Sequence, residues 1–275
     1  MEGTSALPHT HLVSTGPEGA EPVLLLHGWG SSARLMQPIA AALESQYRVL
    51  NLDLPGHGHS PNPPEPWGVP EHAALVSQIL DEHVGGPAAV IGHSNGGRIA
   101  LYMASEDRYR RHFNRLVLVS PSGIKPERGF KYHLRRGIAN TLKAPFSVLP
   151  GPLREFGLDW LRHSLVWRLL GSSDYRALEG VMRETFVRTV NFFVDDRLDR
   201  IHVPTLLFWG DQDTAVSRRQ MEILERGIPD AGLVVLPGAG HYGYLDEPDT
   251  FVAATLHFLA ETSPVTASHA EADPV

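Results

Sequence analysis

Short, continuous apolar runs recur along the chain at residues 23–26, 48–53, 88–92, 115–120, 205–209 and 233–236, each rich in Val, Leu or Ile. A strand covered on both faces looks like this, because neither side needs polar residues in alternation. Between the runs lie segments with helical spacing at 33–45, 70–84, 96–106, 218–227 and 250–261. Strands and helices taking turns predict an α/β fold, a mostly parallel sheet with helices on both faces. Residues 1–20 are polar and glycine-rich, with room for one edge strand at 11–15. Residues 263–275 are small, polar and acidic, which predicts a disordered tail.

The rhythm breaks once. From Pro121 to Arg200 there is no clean buried strand; helical patterns rich in aromatics and Arg are cut by Pro145, Pro150 and Pro152. It resumes at Val203-Pro204-Thr205. The reading is a core in two parts, 21–120 and 201–262, with 121–200 as a helical cap insertion over the C-terminal edge of the sheet. Open α/β sheets bind ligands at that edge. Trp160, Trp167, Phe186, Phe192 and Phe193 fall in the insertion at helical spacing among Leu and Val, which suits packing residues better than ligand contacts.

Composition narrows the classes. The 275 residues are 42% hydrophobic and 20% charged, ordinary for a soluble globular chain. A net charge of −7 disfavours nucleic-acid binding, which needs clustered Lys and Arg. With no cysteine there is no thiol nucleophile, disulfide or Cys-ligated metal. The first ten residues lack the basic start and apolar stretch of a signal peptide, and no apolar run reaches the roughly 20 residues of a membrane span. A cytoplasmic protein is therefore expected.

The chemistry gathers around Gly92-His93-Ser94-Asn95-Gly96-Gly97, which follows an apolar strand and opens a helix. Glycines on either side of the serine allow a sharp strand-to-helix turn with the hydroxyl held at its tip. The competing reading is that Ser94 merely caps the helix. A nucleophilic serine needs a base. Of fifteen histidines, His241 stands apart, at the end of the glycine-rich loop Pro237-Gly238-Ala239-Gly240. The base needs a carboxylate to orient it, and Asp211 and Asp213 both follow the strand at 205–209. An oxyanion hole requires two preorganised N–H donors. The amide of Asn95 supplies one, and that of Trp29, in His27-Gly28-Trp29-Gly30, is the best candidate for the other. His27, His57, His59 and His93 all sit in loops at the same edge, but lack metal-binding spacing or a neighbouring acid, so no metal is expected.

Five runs together resemble the α/β-hydrolase superfamily: Leu26-His27-Gly28-Trp29-Gly30, Asp53-Leu54-Pro55-Gly56-His57-Gly58-His59-Ser60, Gly92 to Gly97, Trp209-Gly210-Asp211-Gln212-Asp213, and Gly240-His241. The chain is similar to its small bacterial serine esterases, proline iminopeptidases, carbon–carbon bond hydrolases and pimeloyl-carrier-protein methyl esterases. The resemblance implies a triad of Ser94, Asp213 and His241, since the acid in that pattern stands three residues after the glycine. It also implies acyl-enzyme chemistry without a cofactor, and argues against dehalogenases and epoxide hydrolases, which carry a carboxylate in place of the serine. Two departures follow. Only one strand fits before the His-Gly strand, so seven strands are expected rather than eight. Pro121-Ser122-Gly123 carries no carboxylate, which closes an alternative place for the acid.

A carboxylic-ester hydrolase of a small or medium acyl group is the leading expectation. A carbon–carbon bond hydrolase and an aminopeptidase holding its substrate's ammonium through Glu179 or Glu184 are alternatives, and a receptor or scaffold is the non-enzyme alternative. Lys125, Arg128, Lys131, Arg135, Arg136 and Lys143 against the single acid Glu127 form a basic stretch. It reads as a solvated helical face, or else as a docking surface for an anionic acyl carrier.

Overall fold

The computed structural model describes residues 9–126 and 178–261. Seven strands form one sheet: β1 (Leu12–Thr15), β2 (Pro22–Leu26), β3 (Arg48–Leu52), β4 (Ala88–His93), β5 (Phe113–Val119), β6 (Thr205–Gly210) and β7 (Ala231–Leu236). Their order is β1-β3-β2-β4-β5-β6-β7. The expected edge strand is β1, paired antiparallel with β3, and all other pairings are parallel. The count of seven expected from the short N-terminal segment is therefore met.

Among the described residues the helices are α1 (Ala33–Leu43), α2 (Val69–His83), α3 (Asn95–Ser105), α4 (Gly180–Val190), α5 (Arg218–Gly227), α6 (Gly243–Asp246) and α7 (Pro248–Ala260). Successive residues of β2 show why the strands read as unbroken apolar runs. Leu24 and Leu26 enter a core with α2, α3 and α5, while Val23 and Leu25 enter a second core with α1 and α7. Both faces are thus sealed, and the hydrophobic burial on each drives the layering. Strand β7 begins two residues earlier than its apolar run, because Ala231 and Gly232 pair with Thr205 and Leu206 although their side chains contribute little to the core. The four-residue α6 was not expected; it fills the gap between the His241 loop and α7.

Helix α3 is buried from end to end. Three glycines permit this. A Cβ on Gly96 would overlap the carbonyl of Leu26, one on Gly97 would lie 2.7 Å from Pro121 Cβ, and one on Gly92 would lie 2.7 Å from Gly97 Cα.

Of the segment 121–200, the described parts are 121–126 and 178–200, which hold α4 and a short 3-10 turn, with no strand among them. Helix α4 lies over the loops that leave the sheet. Thr185 Oγ1 accepts from the Trp67 amide at 3.0 Å, Arg188 donates to the Pro66 carbonyl, and Arg98 of α3 donates to the Thr189 carbonyl. Trp160, Trp167, Glu127, Arg128, Lys131, Arg135, Arg136, Lys143 and the tail at 263–275 lie outside the described residues. No helix among the described residues is long and apolar enough to cross a membrane.

Candidate active site

Strand β4 ends at His93, and the chain turns at Ser94 into α3 with φ 51° and ψ −108°. Positive φ is strained for a residue with a side chain. Backbone bonds impose it: the Ser94 amide donates to Val119 O at 3.1 Å, and Ser94 O accepts from Arg98 N at 3.1 Å and Ser122 N at 3.0 Å. The serine therefore stands at a pinned elbow, at the N-terminus of α3, rather than serving as a side-chain cap; it makes no cap hydrogen bond.

His241 and Asp213 meet. His241 Nδ1 donates to Asp213 Oδ2 at 2.9 Å, since a carboxylate only accepts, and this leaves Nε2 free to take a proton. Asp213 has a fully buried side chain. Burial pushes its carboxyl up, but hydrogen bonds from His241 and from the Val216 and Ala215 amides outweigh that and hold it below the ordinary carboxylate range. The amide bonds are 3.0 and 2.7 Å at Oδ1. Asp211 has a different occupation. Its Oδ1 accepts from the Gly238 amide at 2.8 Å and from Gln212 at 3.0 Å, which ties down the start of the histidine loop. The two acids that the sequence left side by side thus have separate hydrogen-bond partners.

The base loop reaches the elbow through His93. Its Nε2 donates to the His241 carbonyl at 3.0 Å, and the two rings lie 4.8 Å apart. Burial, then the neighbouring His241, lowers the His93 pKa to about 3, so the ring is neutral. No hydrogen bond joins Ser94 Oγ to His241 here; such bonds commonly tighten only when substrate fills a site.

The loop after β2 runs alongside. A Cβ on Gly28 would lie 3.2 Å from Ser94 Cβ, so the backbone just before Trp29 passes directly beside the serine. Its path is set by His27, whose Nδ1 donates to Gly28 O at 2.7 Å while Nε2 accepts from the Leu54 amide at 3.0 Å. Both nitrogens are committed to the neutral ring, in keeping with a pKa lowered to about 4 by burial. The Trp29 ring is wedged between His57, at 4.9 Å, and Phe186 of α4, at 5.1 Å. Asn95, first residue of α3, is buried, and its side-chain amide has no hydrogen-bond partner.

Sequence reasoning missed the work of His27 and His93. Both are clamps with assigned tautomers. Their place beside the Gly-Trp-Gly loop and the serine was the available signal. Phe186 and Phe192 do pack, against Trp29 and Tyr102. Glu179 and Glu184 are exposed. Lys125, the described member of the basic stretch, binds Asp195 through its backbone amide and lies 5.9 Å over the Phe193 ring. A cavity of about 490 Å³ lined by Glu21, Tyr47, Arg115 and Leu259 opens at the opposite edge of the sheet and takes no part in this arrangement.

Comparison with known proteins bears on the fold. A family model described as the alpha/beta hydrolase fold matches residues 21–248. A pimeloyl-[acyl-carrier protein] methyl ester esterase of Aeromonas hydrophila is 30% identical over 254 residues, covering 86% of this chain and 94% of that protein. Among solved structures, a hydrolase from Pseudomonas aeruginosa superposes with TM-score 0.68 at 22% identity, over 94% of this chain and 100% of that one. An enol-lactonase from Burkholderia xenovorans does so with TM-score 0.68 at 23% identity, over 92% and 96%.

Proposed function

The chain belongs to the α/β-hydrolase family, and on that footing we propose that it is a serine hydrolase that cleaves carboxylic esters through an acyl-enzyme on Ser94. The observation that carries this reading is the 2.9 Å bond from His241 to a buried Asp213, on a loop anchored to the residue before Ser94.

Ser94 Oγ attacks the ester carbonyl carbon while His241 Nε2 takes the hydroxyl proton. Asp213 stabilises the imidazolium that results and keeps the ring in the tautomer with Nδ1 protonated. The tetrahedral oxygen carries the negative charge and is held by the Trp29 and Asn95 amides. Collapse expels the alcohol, which leaves with the proton from His241. Water then attacks the acyl-enzyme, losing a proton to the same nitrogen, and the acid is released as Ser94 recovers its proton. No step calls for a cofactor.

Residues 121–200 act in this reading as a cap whose α4 supplies Phe186 beside Trp29. The similarity to a methyl ester esterase favours a small or medium acyl group, with an acyl carrier as a partner for the basic stretch. The exposure of Glu179 and Glu184 gives no support to an ammonium-binding peptidase. A fluorophosphonate probe tests the proposal: the native chain is labelled and hydrolyses p-nitrophenyl esters, and Ser94→Ala abolishes both. Absence of labelling of the native chain overturns it. A parallel panel of dipeptide amides and vinylogous diketones checks amide and carbon–carbon cleavage.

A further inference from the structure

Away from the serine, three side chains from separated stretches converge at the outer end of β3. Asp53 follows that strand, His59 lies six residues on in the same loop, and His11 immediately precedes β1. His11 Nδ1 stands 3.0 Å from Asp53 Oδ2 and His59 Nδ1 stands 3.6 Å from the same oxygen. One ligand atom from each residue lies within 4.8 Å of the other two. We propose that His11, Asp53 and His59 form a binding site for a divalent transition-metal ion of the zinc type.

The donor set is two imidazole nitrogens and one carboxylate oxygen, which suits zinc and its neighbours and is poor for magnesium or calcium. Tetrahedral bonds of about 2.0–2.1 Å put neighbouring ligand atoms about 3.3–3.4 Å apart. The two histidine–carboxylate separations bracket that value, and small ring rotations bring the imidazoles to it. The remaining position opens to solvent beside His59, whose side chain is 83% exposed, and a water fills it.

The site is preorganised by contacts that a metal leaves intact. Asp53 Oδ1 accepts from the Ala33 amide at 2.6 Å, and Oδ2 from the His59 amide at 2.9 Å. The Asp53 amide donates to His11 O at 3.0 Å, the His11 amide to Ser60 Oγ at 2.8 Å, and Ser60 Oγ to Asp53 O at 2.6 Å. These bonds fix all three backbones, so binding costs little ordering. The ion takes the place of the proton between His11 Nδ1 and Asp53 Oδ2, and the ring proton of His11 moves to Nε2. Other histidines at this edge are less suited. His27 has both ring nitrogens engaged, and His57 and His93 each give one to a carbonyl.

Calorimetric titration of the chelator-stripped full chain with ZnCl₂ at neutral pH tests the site. One ion binds per chain with micromolar affinity, Co²⁺ gives visible d–d absorption, and Mg²⁺ gives no heat. His59→Gln and His11→Gln each weaken Zn²⁺ binding at least about tenfold, while His257→Gln, on the exposed face of α7, leaves it unchanged. A hundredfold excess of Zn²⁺ over its Kd raises Tm by about 5 °C in the native chain and not in His59→Gln, which keeps the native metal-free Tm. No binding tighter than millimolar, or affinity indifferent to both substitutions, overturns the proposal.

Discussion

His93 Nε2 donates to the backbone carbonyl of His241 across 3.0 Å, and Ser94 is the next residue in the chain. One ring therefore sets the distance between the loop of the proposed base and the elbow of the proposed nucleophile. In His93→Ala that link is gone while the Asp213–His241 bond remains. Steady-state kinetics on a p-nitrophenyl ester should show kcat lower by about 10²-fold with little change in KM, the cost of about an ångström of misplacement.

The two aspartates of the loop after β6 separate by their hydrogen bonds. Asp213→Asn removes the charge proposed to stabilise the imidazolium and is expected to lower kcat by about 10³–10⁴-fold. Asp211→Ala removes the acceptor of the Gly238 and Gln212 bonds, with less than a tenfold effect on kcat and a loss of about 1–2 kcal/mol in urea unfolding. Equal kinetic losses in the two variants would contradict this division.

Gly96→Ala tests the seating of α3. The new methyl meets the carbonyl of Leu26, which is backbone and part of β2, so neither partner yields easily. Overpacking of this kind costs about 1–3 kcal/mol or more, read as a lower urea midpoint at unchanged m.

Three buried neutral histidines give the fold a sensitivity to acid. His27 and His72 have pKa values lowered to about 4 and His93 to about 3, from 6.5, with burial the leading cause in each. In the unfolded chain they take up protons below about pH 6.5, whereas the folded chain resists. Their stabilisation is complete above that pH and is lost progressively as pH falls toward 4. At pH 5 each costs about 2 kcal/mol relative to pH 8. Urea unfolding at the two pH values measures the sum, and His72→Gln reduces the slope between them.

The parallel core could be read in advance because burial on both faces leaves an unbroken apolar run, as in β2 and β4. The start of β7 could not, since Ala231 and Gly232 are held by the ladder rather than by the core. The serine elbow was legible because its glycines mark close backbone contacts. Choosing between Asp211 and Asp213 from the residues alone was not possible, because neighbours two apart in a loop are separated only by where each carboxylate finds its donors. The tautomers of His27 and His93 were hidden for the same reason. Loop histidines of one type look alike until the carbonyl facing each ring is known. The meeting of His11 with Asp53 and His59 depends on β1 lying antiparallel to β3, a pairing between residues about 40 apart.

The backbone at Ser94 has a further consequence. With φ at 51° and a fully buried helix behind it, this position favours glycine over every residue that has a side chain. Ser94→Gly should unfold at a higher temperature than the native chain, by the few degrees that relief of about 1 kcal/mol gives, and on the proposed function it loses ester hydrolysis. Screening variants of this chain for heat resistance alone would thus discard the proposed nucleophile first. Any thermal improvement has to be sought where the elbow is left untouched, and paired with an activity assay at every round.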